Sequence, residues 1–251
     1  MTSAQPYPIP QANTAARWYL TQPYKGVVIG LTIIVGWAAL LTYLLHYDID
    51  WTSPLTYLLV LLQTHLYTGM FITAHDAIHG VVAPTNRRLN DVIGWVATTL
   101  FAFNNYAKLA RGHHLHHRHA ATDHDPDYHR GNANILLWFV DFARSYVSVW
   151  QVLLMAVTYN VLKLWLSMEN LILFWMVPAI LSTFQLFFFG TYLSHRGDHD
   201  NPPHNARSQG LNHAWAFISC YFFGYHFEHH DQPYLPWWKL AEAREKSGVR
   251  S

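Results

Sequence analysis

The most regular feature of this sequence is the alternation of long apolar stretches with short polar linkers. A helix needs roughly 20 predominantly apolar residues to cross a bilayer. Four stretches have that length, and they cover residues 26–45, 55–74, 147–166 and 171–193. Two further apolar runs, residues 92–103 and 215–225, are too short to span. The pattern therefore predicts four membrane-spanning helices and two short interfacial or re-entrant segments.

The basic residues are unevenly distributed between the two sides of these predicted spans. The linkers at residues 46–54 and 167–170 contain no lysine or arginine. All basic residues except Lys163 lie on the opposite side, in the N-terminal, central and C-terminal segments. Because lysine and arginine accumulate on the cytoplasmic side of membranes, both termini and the central segment are expected to face the cytoplasm.

The predicted fold class is accordingly an all-α membrane protein. Four transmembrane helices would form two hairpins, with short interfacial helices and a histidine-rich cytoplasmic cap. We expect a disordered N-terminal tail at residues 1–16, one domain at residues 17–240 and a flexible C-terminal tail at residues 241–251.

The composition agrees with a membrane protein and excludes other classes. Of the 251 residues, 51% are hydrophobic and only 12% are charged, about half the usual charged fraction. The net charge of +1 and the absence of a basic stripe exclude a nucleic-acid-binding role. The single cysteine, Cys220, excludes an intrachain disulfide and a cysteine-based metal site, and we expect it to be buried.

The chemistry is expected to lie with histidine, which occurs 18 times. One H-x-x-x-H motif and two H-x-x-H-H motifs fall on the predicted cytoplasmic side, and a lone histidine ends the last span. Residues three or four apart share one face of a helix, so their imidazoles can converge on a metal ion. The nine candidate ligands are His75, His79, His113, His116, His117, His195, His226, His229 and His230.

Nine histidines exceed what one ion requires, so the count predicts two ions with open coordination positions. Imidazole suits iron, zinc, copper and nickel, and the spacing does not choose among them. Two neighbouring redox metals with open positions are an arrangement that activates dioxygen. No catalytic residue beyond the metal ligands is expected.

The remaining histidines and nearby carboxylates have weaker assignments. We expect structural roles for His46 and His65, and we exclude His114 as a ligand because it occupies a variable position of its motif. Metal binding stays open for His119, His124, His129, His199, His204 and His213. A carboxylate commonly accepts a hydrogen bond from a metal-bound imidazole. The candidates for this role are Asp76, Asp125, Glu228 and Asp231.

These motifs resemble the membrane fatty-acid desaturase and hydroxylase superfamily. Within it, the longer strings are similar to bacterial and cyanobacterial β-carotene ketolases. These strings are HDAIHG (75–80), HHLHHRHAATDHDPDYH (113–129), FFGTYLSHR (188–196) and HFEHHDQPYLPWWKL (226–240). The resemblance implies that the nine histidines hold two Fe²⁺ ions. Thr191 stands where acyl-CoA desaturases carry an asparagine that helps to hold a water, so that element does not transfer.

The resemblance also implies an activity: conversion of the C4 and C4′ methylenes of β-ionone rings to ketones by two rounds of hydroxylation with O₂. β-Carotene would yield echinenone and canthaxanthin. Because the chain has no flavin or nicotinamide motif, an external electron donor such as ferredoxin is expected to dock on the cytoplasmic cap. A carotenoid hydroxylase, an acyl-lipid desaturase and an alkane hydroxylase share the motifs and stay open as alternatives.

Two other classes fit the sequence less well. A membrane metal transporter would place polar groups near the middle of the bilayer, but the predicted spans contain almost no ionisable residues before their cytoplasmic ends. A soluble zinc enzyme is incompatible with four apolar stretches of spanning length.

Overall fold

The computed structural model describes residues 21–129, 134–197 and 204–248. Within these ranges the chain is predominantly helical and has no strand, apart from an isolated bridge between Ser208 and Tyr225. The prediction of an all-helical chain is confirmed for this part. The expected tail at residues 1–16 lies outside the described residues, and so does His199.

The helices are numbered here in chain order. They are α1 (Lys25–Leu44), α2 (Pro54–Ile78), α3 (Arg87–Leu100), α4 (Tyr106–His119), α5 (Ile135–Tyr146), α6 (Val149–Leu162), α7 (Met168–His195), α8 (His213–Cys220), α9 (His226–Asp231) and α10 (Leu240–Ser247). A 3₁₀ turn, Trp237–Lys239, leads into α10. Two parts of α7, Leu171–Met176 and Phe187–Tyr192, have π-helical hydrogen bonding.

Three helices, α1, α2 and α7, are long and apolar enough to cross a membrane, and the bent pair α5–α6 would make a fourth span. The first, second and fourth predicted spans correspond to α1, α2 and α7. The third prediction, one continuous spanning helix over residues 147–166, is wrong. Helix α6 has only 14 residues, about 21 Å, and it meets α5 at an angle of 87°.

Two interactions define the bend between α5 and α6, one local and one from another helix. Ser148 begins a new helix, because its side chain accepts a hydrogen bond from the backbone N–H of Gln151. Lys108 of α4 ends the preceding one, since its Nζ donates hydrogen bonds to the carbonyl oxygens of Tyr146 at 2.9 Å and Val147 at 3.3 Å. A cation at the end of a helix also complements the helix dipole.

Side-chain caps define where most of the helices begin. Ser53, with Pro54 in the first turn, starts α2. Asparagine and serine oxygens likewise accept hydrogen bonds from first-turn N–H groups elsewhere. These caps are Asn86 for α3, Asn105 for α4, Asn134 for α5, Ser167 for α7 and Asn212 for α8.

The two short apolar runs contribute to α3 and α8, and a pair of residues with left-handed backbone follows each helix. Ala102 and Phe103 have φ of 52° and 57°, and Tyr221 and Phe222 have φ of 49° and 61°. Residues with a side chain rarely adopt this region, so the surrounding packing must hold them there. The reversals return the chain to α4 and α9, which carry the two H-x-x-H-H motifs.

Helix α2 lies at the centre of the bundle and packs against α1, α3 and α7. Its buried side chains include polar ones, and these link helices within the apolar interior. Thr68 hydrogen-bonds Ser182 at 2.9 Å and Gln185 at 2.6 Å, both on α7. Because lipid offers no hydrogen-bond partners, such links fix the relative position of the two helices.

The C-terminal segment differs from the expectation of a flexible tail at residues 241–251. It begins with α10, which continues to Ser247. Arg244 of this helix is buried and its Nη1 lies 3.1 Å from Oε1 of Glu228 on α9. A buried ion pair therefore fixes α10 beside the second H-x-x-H-H motif. The division of the chain into domains stays a prediction.

Candidate metal centre

Four helices bring all nine predicted histidines together. His75 and His79 lie at the end of α2, and His195 ends α7. Helices α4 and α9 contribute three histidines each. The imidazoles form two groups, and within each group the ligand nitrogens lie within 4.8 Å of one another. Group one comprises His75, His79, His113, His117 and His229; group two comprises His116, His195, His226 and His230.

The two H-x-x-H-H motifs divide their histidines between the groups. In α4, His113 and His117 belong to group one and His116 to group two. In α9 the division is reversed, with His226 and His230 in group two and His229 in group one. Histidines four apart lie above one another on a helix, whereas the third points to one side. Each motif therefore provides two imidazoles to one group and one imidazole to the other.

The distances between nitrogens fit metal coordination. Two imidazole nitrogens bound to one ion at about 2.1 Å are separated by roughly 3.0 Å at a right angle and 3.4 Å at the tetrahedral angle. In group one, Nε2 of His229 lies 3.1 Å from Nε2 of His75 and 2.8 Å from Nε2 of His117. In group two, Nε2 of His230 lies 3.1 Å from Nε2 of both His116 and His226. The residues present therefore fit one ion in each group.

Burial favours the neutral form of these rings, which is the form that binds metal. Removal from water, together with the neighbouring rings, holds the pKa of His113, His117 and His229 well below 6.5. His116 differs: burial lowers its pKa, but the carboxylates of Asp125 and Asp127 outweigh burial and raise the pKa to about 9. These carboxylates make His116 more basic than His226 and His230, because burial and the neighbouring rings hold the pKa of those two well below 6.5.

Hydrogen bonds on the outer side of two rings fix their orientation. Nδ1 of His116 donates to both carboxylate oxygens of Asp125, each at 3.0 Å. Nδ1 of His195 donates to the carbonyl oxygen of Asn205 at 2.9 Å. Each bond directs Nε2 toward the other members of group two. Such partners raise the basicity of a metal-bound imidazole and fix its tautomer.

The four carboxylates proposed from the sequence have different surroundings. Asp125 holds His116, and Asp76 lies 3.4 Å from Nδ1 of His75 while accepting a hydrogen bond from the backbone N–H of Trp237. Glu228 instead contacts Ser208, Arg244 and Ser247 among the described residues. Asp231 pairs with His204 at 3.4 Å. The structure therefore places only Asp76 and Asp125 against rings of the two groups.

The other histidines lie outside the two groups. His65 stacks on Tyr221 with ring centroids 4.3 Å apart, and His46 lies 3.0 Å from the carbonyl oxygen of Thr42. His129 pairs with Asp141 at 2.7 Å, and His213 contacts Tyr225 and Glu245. The rest of this set consists of His114, His119, His124 and His204. Metal binding by His199 stays a prediction, since that residue is not described.

An apolar cavity of ≈370 Å³ leads to the histidines. His75 and His113 of group one, and His116 and His226 of group two, line one end. Val152 on α6 and Ile180 on α7 also line it, and their side chains are 56% and 61% exposed. The cavity therefore runs from the histidines to the apolar outer surface of the helical bundle.

Comparison with known proteins assigns the family. Residues 51–157 and 134–248 match the fatty acid desaturase family. The chain belongs to the fatty acid desaturase family. Within this family it is 39% identical over 236 residues to a zeaxanthin 4-ketolase of Chlamydomonas reinhardtii, covering 88% of this chain. It is 34% identical over 277 residues to beta-carotene 4-ketolase 3 of Haematococcus lacustris, covering 95%.

A bacterial relative of this desaturase-family chain has a similar length. The beta-carotene ketolase of Paracoccus sp. (strain PC1) is 40% identical over 229 residues, which cover 88% of this chain and 94% of the relative. The match covers 87% of the Haematococcus protein but only 53% of the Chlamydomonas protein. The chain thus spans about half the length of the algal zeaxanthin ketolase and most of the others. The resemblance to ketolases expected from the sequence is confirmed.

Sequence reasoning missed three residues at the histidine end of the cavity. Tyr146 donates a hydrogen bond to Asp127 there, and Phe223 lies with its ring centroid 4.9 Å from that of His75 and 5.0 Å from that of His226. The string around residue 127 contains several aspartates, so nothing in the pattern singled this one out. Tyr146 lay at the edge of a predicted span, and only the bend at α5–α6 directs it inward.

Proposed function

We propose that this desaturase-family protein is an iron-dependent membrane oxygenase that converts C4 of carotenoid β-ionone rings to a ketone. The main support for the proposal is the apolar cavity of ≈370 Å³, whose lining includes histidines of both groups. A cavity of this kind fits a ring and the start of a polyene rather than a polar metabolite. The relatives named as carotenoid 4-ketolases support the choice of substrate.

The nine histidines would hold two iron ions, five imidazoles in group one and four in group two. Nitrogen ligands alone suit several metals, and iron is proposed because the reaction consumes O₂. Bound iron would supply the activation of O₂ for insertion into a C–H bond. Asp125 and the carbonyl of Asn205 keep two of the rings in place during the reaction.

The remaining cavity residues position the substrate and exclude water. Phe71, Phe101 and Phe223 line the cavity with His75 and give the ring an apolar environment. Because the methylene at C4 is hydrocarbon, its placement near the histidines depends on the shape of this lining. The exposed positions of Val152 and Ile180 support entry of the substrate from lipid, between α6 and α7.

The proposed conversion of CH₂ to C=O needs two rounds. Each round consumes one O₂, two electrons and two protons, inserts one oxygen atom and releases one water. The second hydroxylation gives a gem-diol, which loses a further water to form the ketone. The electrons must come from an external donor, for which a ferredoxin is proposed. Arg111 and Arg118, exposed on the outer face of α4, offer an acidic partner a docking surface close to the histidines.

We also propose four spans in two hairpins, with α5–α6 as the bent third span, and a cytoplasmic location for both termini and the histidines. The distribution of basic residues supports this orientation. Single cysteines introduced at Asp48 and at Arg118, in a Cys220→Ser background, would test it in intact cells. A membrane-impermeant thiol reagent should label position 48 alone, and labelling of position 118 would contradict the orientation.

Expression in bacteria that accumulate β-carotene tests the proposed activity. We expect orange-red echinenone and canthaxanthin, identified by chromatography and mass spectrometry, and about two iron ions in each purified molecule. Unchanged β-carotene with newly desaturated lipids would favour an acyl desaturase. Carotenoid products hydroxylated at C3 would favour a carotenoid hydroxylase. Zinc in place of iron in active protein would contradict the proposed cofactor.

A further inference from the structure

The histidine end of the cavity contains a polar pair that a hydrocarbon substrate does not require. Tyr146 donates a hydrogen bond to Oδ1 of Asp127, and both side chains line the cavity. Asp127 is only 8% exposed. Burial of a carboxylate beside apolar surface is unfavourable unless it has polar partners. The pair therefore needs an explanation beyond the binding of an unsubstituted ring.

The carboxylate of this pair lies next to one ring of the candidate metal centre. Oδ2 of Asp127 is 3.8 Å from Nδ1 of His116, the ring whose Nε2 faces His226 and His230. Asp127 is not needed to orient that ring, because Asp125 already accepts its N–H at 3.0 Å. A polar group attached to the reacting carbon of a substrate would thus come within the reach of this pair.

The protein holds the pair firmly in position. The backbone N–H of Asp127 donates to Asp125 at 2.9 Å, and its carbonyl accepts from Nε1 of Trp138 at 2.7 Å. The ring of Tyr146 packs over Gly112, where an added Cβ would lie 2.9 Å from Cε1 of the tyrosine. A hydrogen-bonding group held this rigidly is suited to recognising one position of a ligand.

We propose that Tyr146 and Asp127 bind the hydroxyl group of the 4-hydroxy intermediate and retain it for the second oxidation. This inference rests on the proposed function. The first round converts the C4 methylene to a secondary alcohol, whose O–H can donate a hydrogen bond to the carboxylate of Asp127 or to the phenol oxygen of Tyr146 while Tyr146 keeps its own bond to Asp127. The pair acts on the half-oxidised ring and has no polar group to bind in β-carotene itself. It thereby makes the ketone, rather than the alcohol, the final product.

The substitution Tyr146→Phe tests this role because it removes only the hydroxyl and keeps the ring over Gly112. In the absence of O₂ no turnover occurs, and quenching of tryptophan fluorescence measures binding of each carotenoid. We expect the Kd for a 4-hydroxy carotenoid to rise about tenfold relative to the Kd for β-carotene, the effect of losing one hydrogen bond within a charged pair. With O₂ and β-carotene, the ratio of 4-hydroxy to 4-keto products should rise by a similar factor.

Two further variants separate this role from a structural one. Asp127→Asn keeps a hydrogen-bonding oxygen and should shift the product ratio less than Asp127→Leu. Tyr57→Phe removes a phenol hydroxyl bonded to the carbonyl oxygen of Trp51, near the start of α2 and about 27 Å along that helix from His75. This matched control should leave the product ratio of the wild type unchanged.

The outcomes distinguish this inference from the proposed function. If Tyr146→Phe raises both dissociation constants equally, or leaves the product ratio unchanged, the inference is wrong while the ketolase proposal stands. If the variant weakens only the binding of 3-hydroxylated rings such as zeaxanthin, the pair recognises C3 and the assignment to C4 is wrong. A wild-type protein that binds none of these carotenoids would contradict both proposals.

Discussion

Asp125 accepts the N–H of His116 with both of its carboxylate oxygens, each 3.0 Å from Nδ1. The two residues are joined by the turn that follows α4, and the same carboxylate accepts the backbone N–H groups of Ala121 and Asp127. Asp125 therefore couples the shape of this turn to the direction of one ring in group two. Loss of the carboxylate would remove the hydrogen bonds that hold both the turn and the ring of His116.

We expect Asp125→Ala to weaken metal binding by group two about 10- to 100-fold, because His116 loses the partner that fixes its ring. Metal content measured against increasing chelator concentration would show this as early loss of one of two ions. Asp48→Asn is a suitable control, since Asp48 is exposed in the linker between α1 and α2. Equal metal retention in Asp125→Ala and the wild type would show that His116 does not depend on this carboxylate.

His117→Ala and His230→Ala each remove a nitrogen from one group, His117 from group one and His230 from group two. We expect both variants to lose ketone formation and part of their metal while still inserting into the membrane. His46→Ala is the matched control, because His46 is exposed near the end of α1 and its ring hydrogen-bonds the carbonyl oxygen of Thr42, outside both groups. Activity like that of the wild type in either variant would remove that histidine from the proposed ligands.

Gly190→Ala should distort the inner end of the cavity. A methyl group at this position would overlap the ring of Phe223, which packs against His75 and His226. Overpacking of this kind typically costs about 1–3 kcal/mol. We expect a lower unfolding temperature in detergent and less product.

Gly36→Ala on α1 is the matched control for Gly190→Ala. Among the described residues, its added methyl would meet only Leu66, at 3.9 Å. Because alanine favours helix more than glycine does, by up to about 1 kcal/mol, this variant should be as stable as the wild type or more stable. Similar destabilisation of both variants would show that contact with Phe223 is not the cause.

Arg244→Met should destabilise the C-terminal region by about 3 kcal/mol, because it leaves the carboxylate of Glu228 buried without its cation. The free energy of unfolding in detergent measures this loss. Lys246→Met is the control, since its pair with Glu242 is exposed and contributes only about 0.3–0.5 kcal/mol. Equal effects of the two substitutions would contradict a special role for the buried pair.

The sequence predicted the parts of the fold that depend on local pattern. Runs of apolar residues located α1, α2 and α7, since a helix in lipid needs an apolar surface over its whole length. The same reasoning failed for residues 147–166, because hydropathy does not register a change of direction. The 87° bend depends on the Ser148 cap and on Lys108 of another helix, and the second of these is a tertiary contact.

The sequence also identified all nine histidines that the structure brings together, because spacings of three and four residues have a direct meaning on a helix. It did not reveal which histidines share a group. That division depends on how α4 and α9 are rotated relative to α2 and α7. Similarly, Glu228 lies within a motif but contacts Arg244, a residue of a helix that the pattern did not predict.

By itself, then, the sequence determined the helical membrane class, the nine histidines that come together and the resemblance to ketolases. The first two follow from composition and from the short repeat of the helix, and the resemblance follows from the longer strings around the histidines. Only the tertiary structure decided the division into two groups, the bent α5–α6 pair and the placement of Asp127 and Tyr146 at the inner end of the cavity. Each of these depends on contacts between residues far apart in the chain, whose geometry is set by packing rather than by local periodicity.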